Sequence, residues 1–410
     1  MKKINKYQTT ELFNNDSARL NGYDNFLALT KDDNVVHTKK RPIPGVIYIN
    51  QLESDPARMI TGDVNGQIIQ AIRSNSHRVL AKKTGEGTVT YAILDDTDST
   101  KYEDGTTAAL DGTEGDVFVK LPTFYYKGEV SEDYNTIKMY FSLTKPDDTY
   151  IEWDGNTLIG AYEAYYSDGK LRSISGVVSS GSISQANFKT YSRARGEGYQ
   201  LVDWQMHCII GCLYYAIYGN TNCQATIGSG TNSYTKETGQ TNSLGMVDTD
   251  SNNGNAMSIN FLGLENWWGN KAEFIDDYIN EASTLVATVN DPINGGTREL
   301  AISSAGYNGY HPQRMKFGKY LDLIPTDDDP KTGNTSLGYC DYQWWPTTTL
   351  TKTRVVRRSN SHSGANGGAA YTNANYMSSD LNSVCGSRLA FKGQCIKASS
   401  ISDFKLLPVL

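Results

Sequence analysis

The sequence predicts an α+β protein in which a mixed or antiparallel sheet dominates, helices are few and loops are long. Three observations support this class. From about residue 81 the chain alternates short strand-like runs with turn residues, one segment has a clear helical period, and 27 tyrosines and 11 phenylalanines recur along it. Hairpin-like spacing with many aromatic residues is typical of antiparallel or mixed sheets.

Residues 1–80 differ in composition from the rest, since they mix charges, turn residues and short apolar runs. They predict a small β-rich N-terminal module, for attachment to a larger assembly or for oligomerisation. The best strand candidates in it are 46–50 and 67–72, and Pro42 and Pro44 mark a bend. The alternative is an ordinary extra layer on the main domain. Residues 81–410 then form one larger domain.

Further strands are expected at 88–94, 116–130, 138–143, 150–153 and 157–166. In 116–130, Val117, Val119 and Leu121 alternate and so share one face, before Pro122 interrupts the hydrogen-bonded ladder.

The clearest helix is Gln200–Tyr218, where apolar residues recur at steps of three and four and Gly219 follows as a stop. His207, Cys208 and Cys212 lie on it and raise the question of a metal site. Four suitable ligands do not assemble there, so a helix packed on the sheet explains these residues better. We expect no metal and no cofactor.

Composition excludes several classes of function. A net charge of −7 opposes binding to a nucleic-acid backbone. The polar N-terminus lacks the apolar run of a secretory signal, and no stretch approaches a membrane span. We therefore expect a protein that is made in the cytosol and stays there unless it is released by lysis or by a dedicated machine, without membrane insertion. The six cysteines include no CxxC pair and are expected to be buried thiols.

Patterns for other chemistry are weak. The aspartates of 93–105 lack the spacing of a calcium-binding loop and predict a solvated turn. Residues 223–245 contain no phosphate-binding loop and predict a long surface insertion. The carboxylates of Glu265, Asp276 and Asp277 are expected to be solvated or ion-paired, since their spacing does not indicate a glycosidase pair.

The stretch from Arg357 to Phe391 is the most informative part of the chain. Between Arg358 and Arg388 its one formal charge is Asp380, and Asn, Ser, Gly, Ala and Tyr fill most of it. Tyr supplies stiff amphipathic contact area, while Asn and Ser donate and accept hydrogen bonds, so binding loops use this mixture. The stretch therefore predicts an exposed binding surface; a polar loop without a role is the alternative.

This stretch, with S-N-S-H-S-G-A-N-G-G-A-A-Y-T-N-A-N-Y and the closing C-G-S-R-L-A-F, resembles the variable region of proteins diversified by diversity-generating retroelements. G-L-E-N-W-W-G-N at 263–270, F-G-K-Y-L-D-L-I-P at 317–325 and Y-C-D-Y-Q-W-W-P at 339–346 also look like this family, in the same order. The resemblance covers roughly residues 85–395.

The resemblance implies a C-type-lectin fold of the formylglycine-generating-enzyme branch, with a variable region at about 357–391. The implied ligand-contact positions are Asn360, His362, Ser363, Asn366, Tyr371, Asn373, Asn375, Tyr376, Ser378, Ser379, Asp380 and Asn382. The implied scaffold positions are Gly364, Ala365, Gly368, Ala374, Gly386, Arg388, Leu389 and Phe391.

An enzyme is not expected. The related oxidases use a pair of reactive cysteines, whereas residues 360–363 of this chain read Asn-Ser-His-Ser. Sequence neighbours such as Ser361 and His362 seldom form a nucleophile and base, and the chain has no G-x-S-x-G turn.

The family includes receptor-binding proteins of phage tails. We therefore expect a phage or prophage tail adhesin that binds a host-cell surface receptor, either protein or glycan. Other tail proteins would contact the N-terminal module, and a homotrimer is expected by analogy. The alternatives are a bacterial ligand-binding protein of the same fold, diversified for another purpose, and a structural virion protein without a receptor.

Overall fold

The computed structural model describes residues 23–29, 35–42, 44–252, 257–282, 284–303, 308–345, 351–359 and 366–409. It confirms the α+β class, with 34% of residues in strands and 13% in helices.

The strands, numbered in chain order, are β1 (Tyr23–Leu29), β2 (Val35–Pro42), β3 (Gly45–Asn50), β4 (Ile60–Gly62), β5 (His77–Gly85), β6 (Thr88–Ile93), β7 (Asp116–Lys120), β8 (Phe124–Val130), β9 (Thr136–Ser142), β10 (Ile151–Trp153), β11 (Thr157–Gly160), β12 (Tyr165–Ser167), β13 (Lys170–Arg172), β14 (Tyr199–Leu201), β15 (Asn260–Phe261), β16 (Leu264–Glu265), β17 (Ala272–Phe274), β18 (Ile279–Asn280), β19 (Val286–Asn290), β20 (Thr297–Ala301), β21 (Asn308–Tyr310), β22 (Met315–Phe317), β23 (Asp322–Pro325), β24 (Gln343–Trp344), β25 (Val355–Arg358), β26 (Thr372–Tyr376), β27 (Cys385–Ser387), β28 (Leu389–Lys392) and β29 (Gln394–Lys397). The helices are α1 (Gln67–Ser74), α2 (Gln185–Arg193), α3 (Trp204–Tyr218), α4 (Cys223–Thr226) and α5 (Ile401–Leu406).

A seven-stranded sheet in the order β14-β28-β11-β7-β5-β6-β29 lies at the centre of the fold. Both of its faces are covered. Val117 and Val119 of β7 belong to one apolar core, while Phe118 between them belongs to a second core on the other face, as the two-residue period of a strand requires. The predicted shared face of Val117, Val119 and Leu121 is confirmed, and the ladder breaks at Pro122.

The five-stranded sheet has the order β10-β8-β9-β3-β4. Strand β3 pairs along its full length with β9, and Ile47 and Ile49 are fully buried in the larger core. Residues 45–80 are therefore part of the main domain, which corrects the predicted boundary at residue 80. Strands β1 and β2 pair with each other in a separate hairpin.

Helix α3 is buried on all sides up to Ile217. The side chain of Asp203 accepts a hydrogen bond from the Met206 N–H (2.9 Å) and caps the N-terminus, while Gly219 ends the helix in the left-handed conformation at φ 60°. The predicted end is confirmed. The predicted start is four residues early, because 199–201 forms β14 and Asp203 is the cap.

Two other expectations are wrong. Residues 67–72 form helix α1, in which Ile69 and Ile72 are buried three residues apart; a short apolar run fits either period. Residues 223–245 are not a plain surface insertion, since Cys223, Thr231, Thr238 and Thr241 are buried. The segments 150–153 and 157–166 contain strands as predicted, but these join different sheets.

All six cysteines are free thiols, and five are buried, as expected. In the part of the chain that the structure describes, no helix combines the length and apolar character needed to cross a membrane.

Candidate ligand-binding surface

The stretch 357–391 passes through a six-stranded sheet in the order β21-β24-β26-β25-β17-β27. Strand β26 lies in its interior, parallel to β24 and antiparallel to β25. The register shifts between Val355 and Arg357, so Tyr376 pairs with Val355 while Asn373 pairs with Arg357. Such a bulge redirects the side chains at the end of the strand.

Buried ions fix the inner face of this sheet. Arg358 and Arg388, each at most 1% exposed, both donate to the carboxylate of Glu273, Arg388 from Nη2 at 2.7 Å. The Arg358 guanidinium carbon lies 3.3 Å from the centre of the Trp267 ring. Burial, and then the like charge of Arg388, lower the pKa of Arg358 to about 9, against the opposing effect of Glu273. Arg388 is thus scaffold, as predicted.

His207 of α3 reaches the same face. Its Nε2 lies 3.3 Å from the Thr372 hydroxyl, and burial lowers its pKa to about 3. The neutral imidazole therefore contacts β26 from its buried face, at Thr372.

The turn before β26 is held by Asp341. Its Oδ2 accepts a hydrogen bond from the Ala370 N–H (2.8 Å), and the Cys223 thiol lies 3.4 Å from Oδ1. A side chain at Gly368 would overlap this carboxylate, so the turn requires glycine there. Burial raises the pKa of Asp341 to about 7.

After β26 the chain reaches the surface in the segment 375–383. Asn375, Ser378, Ser379, Leu381 and Ser383 are exposed, with Leu381 at 67%.

The backbone of the 375–383 segment is fixed by hydrogen bonds to its main chain. The Arg354 guanidinium donates to the Asn375 carbonyl (2.8 Å), the Ala186 N–H to the Ser378 carbonyl (3.1 Å) and the Ser182 N–H to the Asn382 carbonyl (2.9 Å). The Asp380 carboxylate accepts from the Met377 N–H (2.9 Å). Most exposed side chains of the segment are therefore not needed to hold its shape.

The predicted contact positions divide into four groups. Asn375, Ser378 and Ser379 are exposed, and Asn366, Tyr376, Asp380 and Asn382 are partly exposed. Tyr371 and Asn373 are buried, at 2% and 8% exposure, which corrects the expectation that both face a ligand. Asn360, His362 and Ser363 lie outside the described residues.

The reason for the burial of Tyr371 and Asn373 is local. The Tyr371 ring stacks on Tyr342 with 11° between the planes, and its hydroxyl lies 3.2 Å from the Asn373 amide. The predicted surface over 357–391 is thus confined, among the described residues, to its middle part. The predicted scaffold residues Gly368, Ala374, Gly386, Leu389 and Phe391 are buried; Gly364 and Ala365 lie outside the described residues.

One residue of this surface was not predicted from the sequence. Arg357 is partly exposed, and its guanidinium carbon lies 4.1 Å from the centre of the Tyr376 ring. The adjacent Arg358 points to the buried inner face. Adjacent residues of a strand point to opposite faces, so two consecutive arginines indicate one buried and one outward-facing cation. This alternation could have predicted the position of Arg357 from the sequence.

The carboxylates considered for glycoside cleavage do not form a shared site. Glu265 accepts hydrogen bonds from Gly239 and Thr241, and Asp276 pairs with Arg193 at 2.7 Å. Asp277 is partly buried and accepts from the Trp204 and Asn290 N–H groups, and desolvation of its carboxylate raises its pKa to about 7. Each carboxylate caps or pairs within the fold.

Comparison with known proteins adds nothing to this geometry: no protein-family model matches the chain, and no curated protein matches it.

Proposed function

We propose that this chain is a receptor-binding protein of a phage or prophage tail, in which a C-type-lectin-like domain presents a diversified surface to a receptor on the host cell. The observation that carries the proposal is the 375–383 segment. Its main chain is tied to the domain while Asn375, Ser378, Ser379 and Leu381 point to solvent. Side chains there can change without altering the fold.

The buried small residues support the same function. Gly368, Ala374 and Gly386 are buried where little space is left for a larger side chain, which is consistent with the scaffold role that the family resemblance implies for them. The receptor is a protein or a glycan, and other tail proteins bind through the N-terminal part. The proposed homotrimer would raise a modest single-site affinity, on the order of micromolar, by avidity.

The proposal is tested by replacing Asn375, Ser379 and Leu381 with Ala in the full-length chain. We expect the melting temperature to stay within about 2 °C, because surface substitutions of this kind change stability little. Binding of the fluorescently labelled protein to a panel of bacterial strains is expected to fall at least tenfold.

The matched control replaces Asn252, Ser54 and Leu52, which are exposed elsewhere on the chain, and should bind like the unchanged protein. Wild-type protein that binds no strain above background would contradict the proposed function. Equal binding by the 375–383 variant would show that this surface is not the receptor site.

A second test uses the encoding DNA. The proposal requires a near-copy of the segment encoding Asn360–Phe391 that differs mainly at adenines and lies beside a reverse-transcriptase gene. If that pair stands among bacterial rather than virion genes, the bacterial ligand-binding protein replaces the tail adhesin.

A further inference from the structure

Arg357 stands at the margin of the 375–383 segment on the outer face of β25. Its Nη1 donates to the Cys385 sulfur (3.1 Å), and its guanidinium carbon lies 4.1 Å from the centre of the Tyr376 ring. Among the described residues, no carboxylate lies within ion-pairing distance, and no hydrogen-bond acceptor faces its Nε. A largely buried cation held by an aromatic ring and a thiol lacks the oxygen partners that usually offset the cost of burying a guanidinium.

Other buried arginines bind oxygen atoms, even where, as in Arg298 and Arg358, Nε also lacks an acceptor. Arg195 pairs with Asp116 at 2.5 Å, and Arg298 pairs with Asp322 at 2.6 Å. Arg78 instead makes five hydrogen bonds with oxygen atoms. The shortage of oxygen partners at Arg357 is therefore not a general feature of arginine burial in this protein.

The thiol does not neutralise Arg357. Burial raises the pKa of Cys385 above its usual range, against the lowering effect of Arg357, so the sulfur carries a proton at neutral pH. A thiol is also a weak hydrogen-bond acceptor.

Two other charged residues, Lys271 and Asp380, act on Cys385 with opposite sign. Lys271 donates to the Tyr234 carbonyl, and Asp380 accepts from the Met377 N–H. Both side chains therefore hydrogen-bond to the main chain.

We propose that Arg357, with the Tyr376 ring against it and the 375–383 segment beside it, binds a carboxylate group of the ligand. A guanidinium recognises a carboxylate with two parallel N–H···O bonds, and an aromatic ring against its plane fixes the orientation of that fork. This inference rests on the proposed function and names the chemistry of the receptor. A sugar acid and an acidic peptide side chain share that chemistry.

The experiment titrates the full-length protein with sodium glucuronate, with glucose as the neutral partner, and observes the ligand by saturation-transfer NMR. A second arm uses a peptide containing glutamate and its glutamine counterpart. We expect one charged ligand to bind, the neutral partner to bind at least tenfold more weakly, and added salt to weaken the interaction. The arm that binds identifies the source of the carboxylate.

Four variants locate the site. Arg357→Gln should lose at least tenfold in affinity, and Arg357→Lys should keep an intermediate affinity because the charge remains without the fork. Asp380→Asn should bind more tightly, because it removes the nearby negative charge. Lys352→Gln removes an exposed positive side chain five residues before Arg357, outside the 375–383 segment, and should leave the affinity unchanged.

If Arg357 had a purely structural role, Arg357→Gln would lower the melting temperature. If Arg357 is a ligand-binding cation that lacks oxygen partners within the protein, the melting temperature should stay unchanged or rise. The inference is overturned if neither charged ligand binds the unchanged protein, or if Arg357→Gln and Lys352→Gln bind alike.

A failure of the carboxylate site can be distinguished from a failure of the proposed function. If the protein binds cells and Arg357→Gln binds them equally, the carboxylate site is wrong and the receptor-binding function stands. If the protein binds no cells, the titration still decides whether Arg357 binds a carboxylate.

Discussion

Glu273 is the shared ion-pair partner of Arg358 and Arg388, two arginines with at most 1% exposure. Replacing Glu273 with Gln would leave both cations buried without a directly paired carboxylate. We expect a loss of about 3–5 kcal/mol in the free energy of unfolding, measured by urea denaturation.

The control for this prediction is Glu103→Gln. Glu103 pairs with Lys397 at 2.8 Å, but both side chains are more than 40% exposed, and such pairs contribute at most about 1 kcal/mol. Equal losses for the two variants would mean that the Glu273 cluster contributes no more than an ordinary surface pair.

At the scale of single residues, the sequence predicts the positions where only a small side chain fits. Gly368 and Gly386 were assigned to the scaffold, and the structure shows what would clash with a larger side chain at each. The burial of Tyr371 and Asn373 was not predicted from the sequence. It depends on Tyr342, which comes from another part of the chain and stacks on the Tyr371 ring. Polarity alone does not report such a partner.

Among the elements, the turn at 366–371 depends on pH through Asp341. Its folded pKa of about 7 lies above its ordinary value of 3.8, so the folded state holds the proton more tightly than the unfolded chain. Its contribution to stability is therefore present below pH 4 and is lost as the pH rises through about 7.

Asp341→Asn removes this titration and keeps an oxygen for the Ala370 N–H. We expect the variant to gain stability relative to the unchanged protein as the pH rises from 4 to 8, by roughly 4 kcal/mol for a shift of about three pKa units. Urea denaturation at pH 4.5, 6 and 8 measures the difference. Glu163 and Asp277, whose pKa values are also raised to about 7, are common to both proteins and cancel. A difference that does not vary with pH contradicts the prediction.

Elements with a long, unambiguous period were predicted and confirmed, α3 and β7 above all. The period of the short run 67–72 is ambiguous, and its helix is decided by burial against α3 and the five-stranded sheet. The start of α3 was missed because the strand-forming residues of β14 precede the Asp203 cap directly.

For the whole molecule, domain limits follow from pairing between distant strands, which a single sequence does not display. A chain shortened to residues 44–410 should fold, because the hairpin β1–β2 pairs only with itself in the part of the chain that is described. We expect its melting temperature to match that of the full chain within about 3 °C, as measured by circular dichroism.

A chain shortened to residues 81–410 is the contrasting case. It lacks β3, β4 and α1, and with them Ile47, Ile49, Ile69 and Ile72 from the core, each worth about 1.5–3 kcal/mol when buried. We expect it not to fold. A cooperative transition at the melting temperature of the full-length chain would restore the domain boundary at residue 80.

Light scattering on the full-length and 44–410 chains shows whether the proposed trimer depends on the N-terminal part.

Strand β28, from near the end of the chain, sits inside the seven-stranded sheet between β14 and β11, and the ammonium group of Lys82 holds the carbonyls of Phe404, Lys405 and Leu407 beyond it. A nascent chain cannot complete that sheet until residues 389–392 have been made, so its pairing waits for the synthesis of β28. A product that terminates before residue 389 would lack a central strand. The proposed binding surface is therefore carried on a complete sheet only by molecules that extend at least through β28.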